Sequence, residues 1–185
     1  GDKSQMPAGW PDIFERLIRR GISVISVNYR LAPAYPYPAA TDDVQAAIAY
    51  VKLHAAALRI DPDRLALMGD SAGGMIVSDA GANYPPGNRV AAVVSLYGEH
   101  DFTLRVTEDP CAMDGHTVPR PPGGCISGGM AAFLGFSALA PEHMETLRDA
   151  SCVTHVHAEM PPYLLLHGTR DYGVPIEQSH SMQQA

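Results

Sequence analysis

The sequence predicts an α/β fold: a mostly parallel sheet with helices on both faces. Two patterns predict it. Short apolar runs, typical of buried strands, alternate along the 185 residues with segments whose apolar spacing is helical. Strands separated by helices pair in parallel, because each crossover helix returns the chain to the same end of the sheet. No internal repeat or linker interrupts the pattern, so residues 1–185 are predicted to form a single domain.

The first half predicts a helix, a strand and a longer helix. "PDIFERLIRRG" carries apolar residues on one face and ends on Gly21, a residue that favours a helix C-terminus. "ISVISVNY", residues 22–29, is almost entirely β-branched and apolar, which predicts a strand buried on both faces. After a proline-rich loop, a helix is predicted from roughly Ala39 to Leu58. Its buried stripe is formed by Val44, Ile48 and Val51.

The second half continues the alternation around one irregular insert. A strand is predicted at Leu65–Met68, a helix after Ser71 that ends near "NYPPG", and a third strand in "RVAAVVSLYG". Residues 99–141 show no sustained strand period, and a loop of this length is often a lid, so the insert is predicted to cap a pocket. "PEHMETLRDA" predicts a short helix, "PPYLLLHG" a fourth strand, and Pro175 the first position of the last helix.

Composition and net charge argue against several classes of partner. Hydrophobic residues make up 46% and charged residues 18%, an ordinary globular balance. The net charge of −7 disfavours nucleic acid and anionic membranes. No apolar run is long enough to span a bilayer, and the first ten residues lack the apolar core of a signal peptide.

Cys111, Cys125 and Cys152 include no C-x-x-C pair, so zinc and thioredoxin-like sites are disfavoured. Cys111 and Cys125 flank a loop rich in proline and glycine. A disulfide between them would indicate an oxidising compartment, with the protein secreted or periplasmic. Three reduced thiols would instead fit the cytoplasm, and the sequence leaves both alternatives open.

The stretch "ALMGDSAGGMIV" contains G-x-S-x-G between a predicted strand and a predicted helix. A sharp turn there would expose the hydroxyl of Ser71, with Gly69 and Gly73 required because side chains would collide with backbone. The N–H of Ala72 would then be one donor to an oxyanion. A glycine-rich turn of a nucleotide-binding fold is the alternative. It is weaker because neither G-x-G-x-x-G nor the P-loop motif occurs.

Four stretches together resemble the α/β-hydrolase fold, in the branch of hormone-sensitive-lipase-like esterases and bacterial carboxylesterases. They are "VNYRLAP", "TDDVQAA", "GDSAGG" and "LLLHGTRDYGVP". The resemblance implies a serine hydrolase of small carboxylic esters, without metal or organic cofactor. It also implies that Asp171 is the acid of a catalytic triad. The position of Asp171 just past a buried strand agrees, although a turn or N-cap aspartate is an alternative. Asp70 is expected to be structural.

The base is harder to place. In this fold the triad order is Ser, acid, His, and the one histidine after Asp171 is His180. His180 falls within the predicted last helix and is expected on the surface, whereas His167 is expected to serve the "HGT" turn. His155 and His157 alternate like strand residues, yet two ligands make a poor metal site. The base is therefore expected to be absent from the chain.

The family's H-G-G-G-type oxyanion loop is also missing, and "GDKSQ" resembles the residues that follow it. The chain is therefore interpreted as an internal fragment of an esterase, a domain incomplete at both ends. Exopeptidases and arylformamidases of the same fold are alternative activities. A non-catalytic binding protein that has lost the base is an alternative of a different class.

Overall fold

The computed structural model describes residues 9–107, 111–113, 116–119, 122 and 124–185. Eight helices lie within these residues: α1 (Trp10–Ile18), α2 (Ala39–Leu53), α3 (Ala55–Leu58), α4 (Ala72–Ala82), α5 (Leu104–Thr107), α6 (Gly128–Leu134), α7 (Met144–Asp149) and α8 (Glu177–Gln184). Five strands accompany them: β1 (Ala66–Asp70), β2 (Ala92–Leu96), β3 (Cys111–Met113), β4 (His116–Val118) and β5 (Tyr163–Leu166). Short 3-10 turns occupy Pro62–Arg64, Pro141–His143 and Cys152–His155.

The main sheet is parallel, as predicted, with the order β1-β2-β5. Gly69 pairs with Ser95, and Leu96 pairs with Leu166, so the three strands end at the same edge. Because the carboxyl ends of parallel strands meet there, the segments that follow them converge. Three of the four predicted strands are therefore confirmed, and so is the α/β fold class.

Helix α4 packs directly on β1 and β2 and forms the centre of the core. It is buried from Gly74 to Ala82. Helix α2 packs on the outer side of α4 through the predicted stripe of Val44, Ile48 and Val51, all buried. The predicted single helix as far as Leu58 is wrong in one respect. The helix ends at Leu53, and after His54 a separate helix of four residues, α3, follows.

The expected strand at residues 22–29 is not formed. None of the described strands pairs with this segment, and the side chains of Ile22 and Ile25 are 49% and 50% exposed rather than buried. High β propensity does not make a strand without a neighbouring backbone to complete its hydrogen bonds. The following loop is nevertheless fixed, because the N–H and guanidinium of Arg30 both donate to the carboxylate of Asp43.

The insert at residues 99–141 contains more regular structure than its sequence pattern predicts. Helices α5 and α6 lie within it, and β3 and β4 form an antiparallel pair. A disulfide joins Cys111 to Cys125 with their Cα atoms 5.2 Å apart, and Cys152 is a buried free thiol. Parts of the insert, including residues 108–110 and 114–115, lie outside the described residues.

One face of the main sheet carries α4, whereas side chains of the opposite face remain exposed. Met68 is 37% exposed, and Leu164 and Leu166 are 52% and 50% exposed. In the part of the chain that the structure describes, no helix is both long and apolar enough to cross a membrane.

Candidate active site

Ser71 lies at the sharp turn between β1 and α4, where the sequence places it. Its backbone has φ 50° and ψ −119°, a conformation that non-glycine residues adopt only under strain. The N–H of Ser71 donates to the carbonyl of Leu96 at 2.9 Å, which ties the turn to the end of β2. The side chain is exposed. This is the geometry that an exposed nucleophile on a strand-to-helix turn requires.

The glycines around Ser71 have different steric roles. A Cβ atom added to Gly69 would collide with the backbone of Gly73, so the expected steric requirement holds at Gly69. It does not hold at Gly73, where an added Cβ would meet nothing within 4 Å. Gly74 is the second crowded position. Its added Cβ would lie 2.9 Å from the carbonyl oxygen of Leu96 and 3.1 Å from the Cα of Gly98.

The first turn of α4 supplies hydrogen-bond donors beside Ser71. Ala72 is the first residue of the helix, so its N–H has no acceptor within the helix. The N-terminal end of a helix also carries a partial positive charge that favours a nearby anion. This arrangement suits the oxyanion role expected for Ala72.

A cavity of about 470 Å³ opens beside the turn and is lined by both Ser71 and Ala72. Most of its other lining is apolar, including Met75, Ile76, Phe102, Met130 and Phe133. Residues 125–133 of the insert contribute to this wall, as expected of a segment that covers a pocket. Three charged residues, Arg30, Glu99 and Arg105, also line the cavity.

Asp171 lies in the loop after β5, at the same edge of the sheet as Ser71. Its Oδ1 accepts hydrogen bonds from the N–H of Gly173 at 2.8 Å and of Val174 at 3.0 Å. The turn role considered as an alternative is therefore present. No hydrogen bond from the described residues reaches Oδ2, so this oxygen could accept one from a histidine base.

His167 has neither nitrogen free to act as that base. Its Nε2 lies 2.8 Å from the carbonyl oxygen of Val174, and because a carbonyl only accepts, Nε2 carries the proton. Nδ1 accepts from the hydroxyl of Ser179 at 2.7 Å. Nε2 is also 3.7 Å from Oδ2 of Asp171, too far for a hydrogen bond. His167 therefore holds the loop together, as expected.

The remaining histidines do not reach the cavity either. His180 is exposed on α8. His100 is buried, donates from Nδ1 to the carbonyl of Gln178 and accepts at Nε2 from the Ser95 hydroxyl. Burial lowers the pKa of His100 to about 4, so its ring is neutral near pH 7. No histidine of the described segments lines the cavity.

His155 and His157 do not lie on a strand, so their expected alternation is wrong. His155 ends a 3-10 turn and donates to the carbonyl of Asp149, and His157 donates to the carbonyl of Ala82. Among the described residues, no group of three or more histidine, cysteine or carboxylate side chains is placed to hold a metal ion.

The sequence pattern missed one charged pair at this site. Glu99 follows β2 and Arg105 lies on α5, and Arg105 donates from Nε to Oε1 of Glu99 at 2.6 Å. The two residues lie in a stretch without periodicity, which gave no signal that their side chains meet. Asp70 is structural, as expected, since its Oδ2 accepts from the hydroxyl of Tyr97 at 3.1 Å.

Known proteins resemble this chain over most of its length. A sequence profile of the BD-FAE family matches residues 1–185. The chain is 33% identical over 177 residues to "Probable carboxylic ester hydrolase LipM" of Mycobacterium tuberculosis, covering 90% of this chain and 38% of that protein. It is 30% identical over 186 residues to "Esterase LipC" of the same organism, covering 91% of this chain and 41% of that protein. The chain thus spans about 40% of the length of these curated relatives.

A solved structure of a known hydrolase also resembles this chain in its fold. The acetyl ester-xyloside bifunctional hydrolase from Caldicellulosiruptor lactoaceticus superposes with a TM-score of 0.72 at 26% identity. The superposition covers 94% of this chain and 59% of that one.

Proposed function

The chain belongs to the BD-FAE family and carries part of an α/β-hydrolase fold, and from this membership we propose that the natural protein hydrolyses carboxylic esters with Ser71 as its nucleophile. The observation that carries the proposal is the strained backbone of Ser71 at the mouth of an apolar cavity. Two relatives bear the names of an ester hydrolase and an esterase, which supports the same reaction class.

The proposed reaction proceeds in two steps. The hydroxyl oxygen of Ser71 attacks the ester carbonyl while a histidine base from outside the described residues takes its proton. The N–H of Ala72 stabilises the negative oxygen of the tetrahedral intermediate, and the protonated base then gives its proton to the departing alcohol. Water, activated by the same base, releases the acid and restores Ser71. Oδ2 of Asp171 accepts a hydrogen bond from the base and orients it.

The cavity favours small, uncharged esters as substrates. Its mostly apolar walls would remove water from an acyl or alcohol chain. The charged residues among them already have partners within the protein, Arg30 with Asp43 and Arg105 with Glu99. Its volume of about 470 Å³ accommodates a small molecule rather than a folded protein.

A fluorophosphonate probe, which modifies an activated serine, tests the proposal in the natural protein. We expect labelling of the wild type and its loss in Ser71→Ala. Ser78→Ala is the matched control, because Ser78 is fully buried and its hydroxyl has no hydrogen-bond partner among the described residues. Continued labelling of Ser71→Ala would contradict the assignment of the nucleophile.

A non-catalytic binding protein is the second candidate. No histidine of the described residues lines the cavity, an observation that fits this candidate as well as an esterase whose base lies outside those residues. The same probe separates the two candidates, because a folded protein that resists the probe and turns over no ester would support binding alone.

A further inference from the structure

We propose that Arg105 is a positioning residue that fixes the peptide unit holding the carboxylate of Asp171. This inference rests on the proposed function, in which Asp171 orients the base. It assigns a role to the pair of Arg105 and Glu99 at the cavity wall, which takes no part in the proposed reaction itself.

The first link joins Arg105 to the loop after β5. Nη2 of Arg105 donates to the carbonyl oxygen of Gly173 at 3.1 Å. That carbonyl and the N–H of Val174 belong to one planar peptide unit. The N–H of Val174 donates to Oδ1 of Asp171 at 3.0 Å. Because the unit is rigid, holding its oxygen fixes the direction in which its N–H points at the acid.

The second link anchors the guanidinium itself. Arg105 donates to Glu99 from Nε at 2.6 Å and from Nη2 at 3.2 Å, so the carboxylate orients the guanidinium. Glu99 lies three residues past the end of β2, the strand whose last carbonyl holds the N–H of Ser71. Ser71 is thereby held directly at the end of β2, and the loop of Asp171 is held near the same end through Arg105 and Glu99.

The third link connects this pair to the insert. The N–H of Cys125 donates to the carbonyl of Arg105 at 3.1 Å, and Cys125 is joined to Cys111 by the disulfide. The cavity wall and the acid-bearing loop therefore share one anchor, the backbone and side chain of Arg105.

Stability alone does not account for the pair. The Arg105 side chain is 2% exposed and that of Glu99 is 10% exposed, and removing two charges from water costs free energy that their attraction often fails to recover. An apolar pair of similar volume would suit the surrounding wall. Among the described residues, the directed hydrogen bond to Gly173 is a feature that an apolar pair would lack.

The test uses steady-state hydrolysis of nitrophenyl acetate and nitrophenyl butyrate by the natural protein. Arg105→Met should lower kcat about tenfold to a hundredfold, equally for both esters, with KM changed by no more than about twofold. The acidic limb of the pH profile should move to lower pH, because a misplaced acid stabilises the protonated base less. Arg19→Met, which breaks the exposed pair of Arg19 with Glu15, is the matched control and should leave kcat unchanged.

A double-mutant cycle shows whether Arg105 acts through Asp171. In the Asp171→Ala background, adding Arg105→Met should lower kcat by less than about twofold, since the group being positioned is gone. The same full loss in both backgrounds would overturn the inference. A raised KM with unchanged kcat would also overturn it, because Arg105 would then be binding substrate.

Two other outcomes, misfolding of Arg105→Met and failure of the proposed function, are distinguished by further measurements. If Arg105→Met fails to fold, Arg105→Lys decides, because lysine keeps the charge beside Glu99 without the planar fork that serves Glu99 and Gly173 together. Its kcat should fall while its melting temperature stays near that of the wild type, and a wild-type kcat would overturn the inference. Failure of the proposed function is distinct, since Ser71→Ala would then remain active.

Discussion

Asp79 should make the stability of the protein depend on pH. The residue lies on α4 and is 2% exposed, and neither of its carboxylate oxygens has a well-formed hydrogen bond among the described residues. Burial raises its pKa from 3.8 to about 6. The nearby hydroxyl of Thr41 and the charge of His155 favour the ionised form, and Asp149 and Asp42 oppose it. Burial outweighs them all, so the folded protein holds the proton more tightly than the unfolded chain.

The magnitude follows from this difference in pKa. A rise of about 2 units corresponds to about 3 kcal/mol, at about 1.4 kcal/mol per unit. Because the folded pKa is the higher one, no penalty exists below the unfolded value. The penalty grows as pH rises from 3.8 towards 6 and is complete above that. Asp79→Asn, which resembles the protonated acid, should therefore stabilise the protein by about 3 kcal/mol at pH 8 and by about 0.5 kcal/mol at pH 4.

Urea unfolding of wild type and Asp79→Asn at the two pH values measures this difference. Asp63→Asn removes the same charge from an exposed surface position and corrects for the change in net charge. An equal gain at pH 8 and pH 4, or a loss of stability at pH 8, would refute the reasoning that burial of an unpaired carboxylate dominates.

Three further outcomes are expected. Gly74→Ala should destabilise the protein by about 1–3 kcal/mol in thermal unfolding, because the new methyl meets fixed backbone, whereas Gly73→Ala has open space and should retain the wild-type melting temperature. Replacing Cys111 and Cys125 together by serine should lower stability by about 3 kcal/mol at most in urea titrations, and a reductant should then have no further effect. The 185-residue chain assayed by itself should not turn over a short nitrophenyl ester above the buffer rate, since no histidine of the described residues lines the cavity and loss of a triad histidine alone costs about 10⁶ in kcat; clear turnover would place the base within this chain.

Local sequence signals located the elements that depend on local interactions. The strand and helix around Ser71 follow from a β-rich run, a glycine-bounded turn and a helical pattern, and each of these acts within a few residues. The position of Asp171 follows in the same way from the strand that precedes it. Residues 22–29 show the limit of this reasoning, because a strand also needs a partner backbone, and propensity says nothing of where that partner lies.

Features that depend on packing between distant segments could not be read from the pattern. The need for glycine at position 74 arises where α4 meets Leu96 and Gly98 of the β2 end, more than 20 residues away, whereas the motif alone pointed to Gly73. Glu99 and Arg105 are only six residues apart, but the hydrogen bond from Arg105 to Gly173 joins segments 68 residues apart. Charged residues in an aperiodic stretch are usually solvated, so their burial gave no sequence signal.

The strain at Ser71 indicates which part of the proposed catalytic site is held in place by the described residues. A positive φ at a serine costs on the order of 1–3 kcal/mol and persists only where the surroundings determine it. Each of those surroundings lies within the described residues: the hydrogen bond from Ser71 to Leu96, the crowded Gly69 and the buried body of α4. The turn is therefore fixed by the sheet and by α4 and does not need the base to hold it. We accordingly expect that removal of the base in the natural protein would slow the reaction of Ser71 while leaving the conformation of the turn unchanged.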